Sequence, residues 1–127
     1  MECVPQGTFA ERIRAGGAGI PAFYTPVGYG TDLTRGKEVR MFHGREHVLE
    51  QAISGDVALI RGDRADRYGN LTFRYAQANF SPAMATAARC TVAEVRMTED
   101  APIPHTEIDL PGVFVKRIVA VGGEAGQ

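Results

Sequence analysis

Hydrophobic and polar positions change period several times along the chain, and each change predicts an element. Residues 1–7 are partly apolar and break at Pro5-Gln6-Gly7, which predicts a strand stopping at Pro5, since proline cannot continue a central ladder. Thr8 followed three residues later by Glu11 has capping-box spacing. Phe9, Ala10 and Ile13 then make one face of a helix of about two turns, which Gly16 should stop. Residues 16–30 mix glycine, proline and aromatics. Their apolar side chains Ile20, Phe23, Tyr24, Val27 and Tyr29 predict an ordered irregular wall that packs on something. His43-Gly44 suits a tight hairpin turn after Val39, Met41 and Phe42, while residues 48–53 fit either a strand or a helical face. Residues 57–60 form an unbroken apolar run, the pattern of a strand buried on both faces. Tyr68-Gly69-Asn70 predicts a turn and residues 71–75 a strand. Ser81-Pro82 opens a helix carried by Met84, Ala85, Ala87 and Ala88. Ala93, Val95 and Met97 alternate with Glu94 and Arg96, as in a half-buried strand. The acidic, proline-containing residues 98–112 read as a surface loop, residues 113–121 as a last strand and residues 122–127 as a tail.

Strands alternating with at least two helices indicate an α/β class, an open mixed or parallel sheet with flanking helices. The helices look too few to cover both faces, so something outside the chain should complete the job. With 127 residues, 44% hydrophobic and 23% charged, the chain is long enough for one domain, residues 1–127, and wholesale disorder is excluded. Fourteen Lys and Arg against 15 Asp and Glu leave a formal charge of -1, which argues against a nucleic acid or an anionic membrane as partner. No apolar run has bilayer length and no basic-then-apolar leader opens the chain, so no membrane association is expected. Cys3 and Cys90 read as small buried hydrophobes, and so few cysteines point to a reducing cytoplasm.

Candidate chemistry is sparse. His43 and His47 are four apart, but H-G-R-E-H is not a metalloprotease pattern, and no metal site is expected. No nucleophile elbow is present, and Ser81 is explained as a helix cap. Arg61, Arg64 and Arg67 beside Asp63 and Asp66 read as a self-neutralising surface strip. The cluster at Gly16, Gly17 and Gly19 follows a helix instead of preceding one, so it is no phosphate loop. Close approach of the backbone to a ligand or another chain would explain it. Gln6, at the end of a predicted strand, stands where open α/β sheets place ligand contacts, and its amide can donate to a carbonyl or carboxylate oxygen.

The run V-P-Q-G-T-F-A-E-R-I-R-A-G-G-A-G-I-P-A-F-Y-T-P-V-G-Y-G-T from Val4 to Thr31 closely resembles the alpha-subunit signature of the 3-oxoacid CoA-transferases. The likeness continues through K-E-V-R-M-F-H-G-R-E-H-V-L-E, G-D-V-A-L-I-R-G-D-R-A-D-R-Y-G-N-L-T-F-R and N-F-S-P-A-M-A-T-A-A. It implies a CoA-transferase-like fold in which A and B subunits share one active site. CoA would move from an acyl-CoA, such as succinyl-CoA or acetyl-CoA, to a 3-oxoacid by a ping-pong route. The B subunit would supply the glutamate that becomes a glutamyl-CoA thioester, with no resident cofactor. The resemblance also implies a homo- or hetero-oligomer, with this chain inactive alone. It gives Gln6 the place of the active-site glutamine, and Gly16, Gly17, Ala18, Gly19, Ile20, Pro21 and Phe23 the wall of the substrate pocket. It favours a hairpin strand for residues 48–53. Two departures stand out: Gln77-Ala78-Asn79-Phe80-Ser81 lacks the arginine of the usual Ala-Arg-Asn-Phe-Asn, and Asp63 stands where an aromatic is common. The family's N-terminal strand and G-G-F-G-type loop are not in this sequence, so it corresponds to the C-terminal half of an alpha subunit. An assembly or binding module that keeps the fold without catalysis is the alternative expectation.

Overall fold

A computed structural model describes residues 2–122. The chain packs as two compact units, Met1–Ser54 and Gly55–Gln127.

The first unit opens with helix α1, Gln6–Ala18. No strand forms before it among the described residues. Pro5 is the N-cap, with φ -55° and ψ 143°. Proline suits that edge because its φ is already set and its missing N–H is not needed there. Helix α1 is therefore longer than the expected two turns at both ends. Thr8 lies inside its first turn, and the left-handed residue that ends it is Gly19, at φ 76°, not Gly16. Strand β1, Ala22–Thr25, emerges from the stretch expected to be irregular. Strands β2, Val39–Phe42, and β3, Arg45–Gln51, follow. They form an antiparallel sheet in the order β1-β3-β2. His43 and Gly44 both have positive φ, 50° and 75°, as a two-residue turn matching the twist of a hairpin requires. The run after His47 is thus strand, ending at Gln51. Helix α1 is fastened to the end of β3: the Ile53 N–H donates to the Arg12 carbonyl at 2.9 Å, and Arg12 Nε donates to the Gln51 carbonyl at 2.7 Å. Among the described residues, Ile13, Ala15 and Val48 are the buried apolar residues of this unit.

The second unit is a mixed four-stranded sheet in the order β5-β4-β6-β7. Strands β4, Gly55–Asp66, and β6, Ala88–Glu99, run parallel in register from Gly55 opposite Ala88 to Asp66 opposite Glu99. Strand β7, Arg117–Ala120, extends the parallel set, and the short β5, Leu71–Thr72, pairs antiparallel with β4. Helix α2, Ser81–Ala87, takes Phe80 as N-cap, so Ser81 is its first residue and not its cap. The core joins Ala58, Ile60, Ala65, Leu71, Ala85, Ala93, Val95 and Leu110. The fold is thus mixed α/β with two sheets and few helices.

Several expectations need correction here. Residues 57–60 are not buried on both faces: Ala58 and Ile60 are in the core, whereas Val57 and Leu59 are 59% and 73% exposed. The loop before β7 is no free surface loop, because Ile103 and Leu110 are buried within it. Cys3 is exposed and Cys90 only half-buried. The charged strip does not neutralise itself along β4 either. Arg61 and Arg64 pair across to Glu94 and Glu99 of β6, and Asp63 accepts from Arg96 Nε at 2.8 Å.

Candidate functional site

Helix α1 places Gln6 at its first position with the side chain exposed. No side chain caps this helix end, and no acidic residue stands in its first turn. A helix start leaves its first N–H groups without intrahelical partners and carries partial positive charge, so this end favours a developing negative charge.

The first turns of α1 face β1 across an open cavity of about 360 Å³, lined by Gly7, Thr8, Glu11, Phe23, Tyr24, Thr25 and Val27. Thr8 is buried, and its hydroxyl has no hydrogen-bond partner. A buried hydroxyl left without a partner carries a desolvation cost that normal folding avoids. Glu11 holds its carboxyl below the ordinary range, chiefly because Arg14 donates to it. Tyr24 donates to Glu38 at 2.6 Å, and that bond to a carboxylate raises its phenol pKa.

The structure therefore places Gln6 at the start of α1, next in sequence to Gly7 and Thr8, which line the cavity with Phe23, and places the glycines at the other end of the helix. Ten residues of helix separate Gln6 from Gly16, a rise of about 15 Å. Gly16 and Gly17 are half-buried in the last turns of α1, while Ala18, Gly19, Ile20 and Pro21 form the exposed exit turn. Gly16 has a packing reason of its own: a Cβ there would lie 2.0 Å from the Ile53 carbonyl oxygen. Thr8, Gly7 and Tyr24 are additional lining residues. The capping-box spacing of Thr8 hides its role; the signal that finds it is its place one helical step from Glu11 on the same face.

In the second unit a cleft of about 270 Å³ is lined by Arg61, Asp63, Arg74, Tyr75, Arg96 and Gly122, among others. Gln77 turns inward on its own loop, accepting from the Arg74 N–H at 2.8 Å. Among the described residues no cluster of three or more His, Cys, Asp or Glu could hold a metal ion, and no helix is long and apolar enough to cross a membrane.

An open helix start beside an apolar cavity could serve many ligands, and comparison with known proteins narrows the choice. The family model described as Coenzyme A transferase matches residues 1–121. The A subunit of succinyl-CoA:3-ketoacid coenzyme A transferase from Xanthomonas campestris pv. campestris (strain B100) is 54% identical over 120 residues, covering 94% of this chain and 50% of that protein. The A subunit of 3-oxoadipate CoA-transferase from Pseudomonas putida is 50% identical over 126 residues, covering 98% of this chain and 54% of that protein. Among solved structures, an acyl-CoA transferase apoenzyme from Escherichia coli O157:H7 superposes with a TM-score of 0.78 at 21% identity, covering 98% of this chain and 29% of that one; at that identity the likeness speaks for the fold. The chain spans about half the length of the curated relatives it matches. A match running from the uncapped helix through both sheets leaves one assignment: the chain belongs to the coenzyme A transferase family.

Proposed function

We propose that this chain is the Gln6-bearing part of the alpha subunit in a 3-oxoacid-type CoA-transferase, a cytoplasmic enzyme whose nucleophilic glutamate is carried by a separate B subunit. The observation that supports the reading is the exposed amide of Gln6 at an uncapped helix start, beside the cavity lined by Thr8 and Phe23. When the B-subunit carboxylate attacks the thioester carbonyl, the carbonyl oxygen becomes an oxyanion. Its collapse expels the CoA thiolate and leaves an acyl–glutamyl anhydride. The thiolate then attacks the glutamyl carbonyl of that anhydride to give the glutamyl-CoA thioester and the free acyl carboxylate. Donors aimed at the oxyanion lower the barrier. The Gln6 amide is a neutral donor, so it assists without protonating the attacking carboxylate, and the N–H groups of the first turn add a second source of positive potential. Phe23 and Val27 offer apolar surface to the acyl chain. The exposed turn Ala18-Gly19-Ile20-Pro21 keeps its expected role as a wall only for a substrate or partner extending along α1.

The test mixes the chain with a CoA-transferase B subunit and succinyl-CoA. A hydroxylamine-sensitive thioester on the B subunit that forms only in the mixture supports the reading. The alternative reading is that the chain binds the B subunit without completing a catalytic site. Stable association with no thioester would select that one.

A further inference from the structure

The cleft of about 270 Å³ in the second unit has a charge balance that packing alone does not require. Its lining holds three arginines, Arg61, Arg74 and Arg96, and a single carboxylate, Asp63. Asp63 and Arg96 sit between the register pairs Gly62–Val95 and Arg64–Met97, and Asp63 accepts from Arg96 Nε at 2.8 Å. Arg61 pairs with Glu94 at 3.6 Å, but both side chains are largely exposed and such a contact is worth little in water. Arg74 has no carboxylate partner among the described residues. Its guanidinium donates to the Tyr75 hydroxyl at 3.1 Å and lies 5.0 Å from that ring's centre. Three arginines against one aspartate leave an excess of two positive charges in one concavity.

The backbone places that charge where a sheet of this kind receives ligands. Arg61 and Asp63 lie in the later half of β4 and Arg96 in the later half of β6, while Val121 and Gly122 directly follow β7. The cleft thus lies toward the carboxyl ends of the three parallel strands, the end at which open α/β sheets bind ligands. Gly122 closes the wall tightly: a Cβ there would lie 1.5 Å from the Arg96 carbonyl oxygen. Tyr75 is 87% exposed and held at φ 52°. Positive φ is strained for an aromatic residue, and such strain concentrates at functional sites. Asp63 and Gln77, both in the lining, belong to the two stretches where the sequence departs from the family pattern.

We propose that this cleft binds a small phosphate monoester. Arg74 and Arg96 hold its phosphate, Arg61 closes on it from the rim, and its organic group rests on the exposed ring of Tyr75. A phosphate monoester carries a charge of about −1.5 to −2 at neutral pH, which matches the excess, and guanidinium forks suit its oxygens. The volume leaves room for an organic group beside the phosphate. The inference stands on this cleft alone and does not depend on the role of Gln6.

The test titrates the chain with phenyl phosphate in a calorimeter, then adds inorganic phosphate, succinate, CoA or dephospho-CoA as competitor. Saturable binding is expected, displaced by inorganic phosphate. Arg74→Gln, at an exposed position, should weaken it about tenfold or more with circular dichroism unchanged. Asp63→Asn keeps the acceptor for Arg96 and removes the competing negative charge, so it should tighten binding about threefold or more. A cleft that serves packing alone would give no such gain. The proposal is overturned if phenyl phosphate does not bind saturably, if succinate displaces it as well as phosphate does, if Arg74→Gln has no effect, or if Asp63→Asn fails to tighten binding. Displacement by CoA but not by dephospho-CoA, which lacks the 3′-phosphate, also overturns it, since the cleft would then belong to the CoA-transferase substrate.

Discussion

Gly16 of α1 lies against the carbonyl oxygen of Ile53, so close that a Cβ at Gly16 would stand 2.0 Å from it. The same contact carries the Ile53 N–H to Arg12 O bond at 2.9 Å. Gly16→Ala should push the helix off the strand end and cost about 1–3 kcal/mol, as overpacking does. The urea midpoint reads it. Gly7→Ala, with nothing within 4 Å of the added methyl, should leave stability unchanged or raise it by up to about 1 kcal/mol.

Gln6 is exposed, so its removal should spare the fold. With the B subunit present, Gln6→Ala is expected to lower kcat by about 10²–10³, the size typical of losing one oxyanion donor, with Tm unchanged. A falling Tm with intact turnover would assign Gln6 to structure.

Thr8 gives the opposite separation. Its hydroxyl is buried without a partner, so Thr8→Val keeps the shape and removes a desolvation cost. Stability should rise by about 0.5–1.5 kcal/mol in denaturant titration. If the hydroxyl meets a bound acyl group, kcat/KM will fall in the same variant; a gain in stability without that fall confines Thr8 to packing.

Asp66 organises the turn after β4. Burial pushes its pKa up, but donors from the Ile103 N–H, the Asn70 side chain and backbone, and the Tyr68 N–H outweigh burial and hold it below the ordinary value. A carboxyl whose folded pKa is depressed stabilises fully above the unfolded value, about 3.9, and loses that contribution as pH falls through the folded one. Asp66→Asn should therefore cost about 1–3 kcal/mol at neutral pH and flatten the decline in stability below about pH 4. Acid titration of both proteins checks the difference.

Much of the architecture was legible where a local rule and the tertiary structure ask for the same residue. His43-Gly44 marks its hairpin because both positions need positive φ, and the alternation around Ala93 and Val95 marks β6 because one face is buried. The start of α1 was not legible, because Pro5 closes a strand and opens a helix equally well and Thr8 imitates a cap one turn inside it. The apolar run at residues 57–60 signals burial but cannot say whether the cover comes from the same polypeptide. Gln6 stood out by its setting between proline and glycine. Phe23 entered only through the family resemblance, and Gly7, Thr8 and Tyr24 did not stand out at all, since only the return of β1 past α1 brings them around one cavity.

The segment between β6 and β7 is strapped to the turn after β4. The Ile103 N–H binds Asp66 at 2.9 Å, Leu71 and Leu110 exchange backbone bonds, and the Gly112 N–H binds the Asn70 side chain at 2.8 Å. A Cβ at Gly112 would lie 2.2 Å from the Tyr68 carbonyl. Tolerance to inserted sequence follows backbone burial and hydrogen bonding, not hydrophilicity. An epitope tag or a protease site placed between residues 103 and 112 would therefore pry apart the turn as well, whereas the hairpin tip at His43-Gly44, with only exposed neighbours, can carry such cargo.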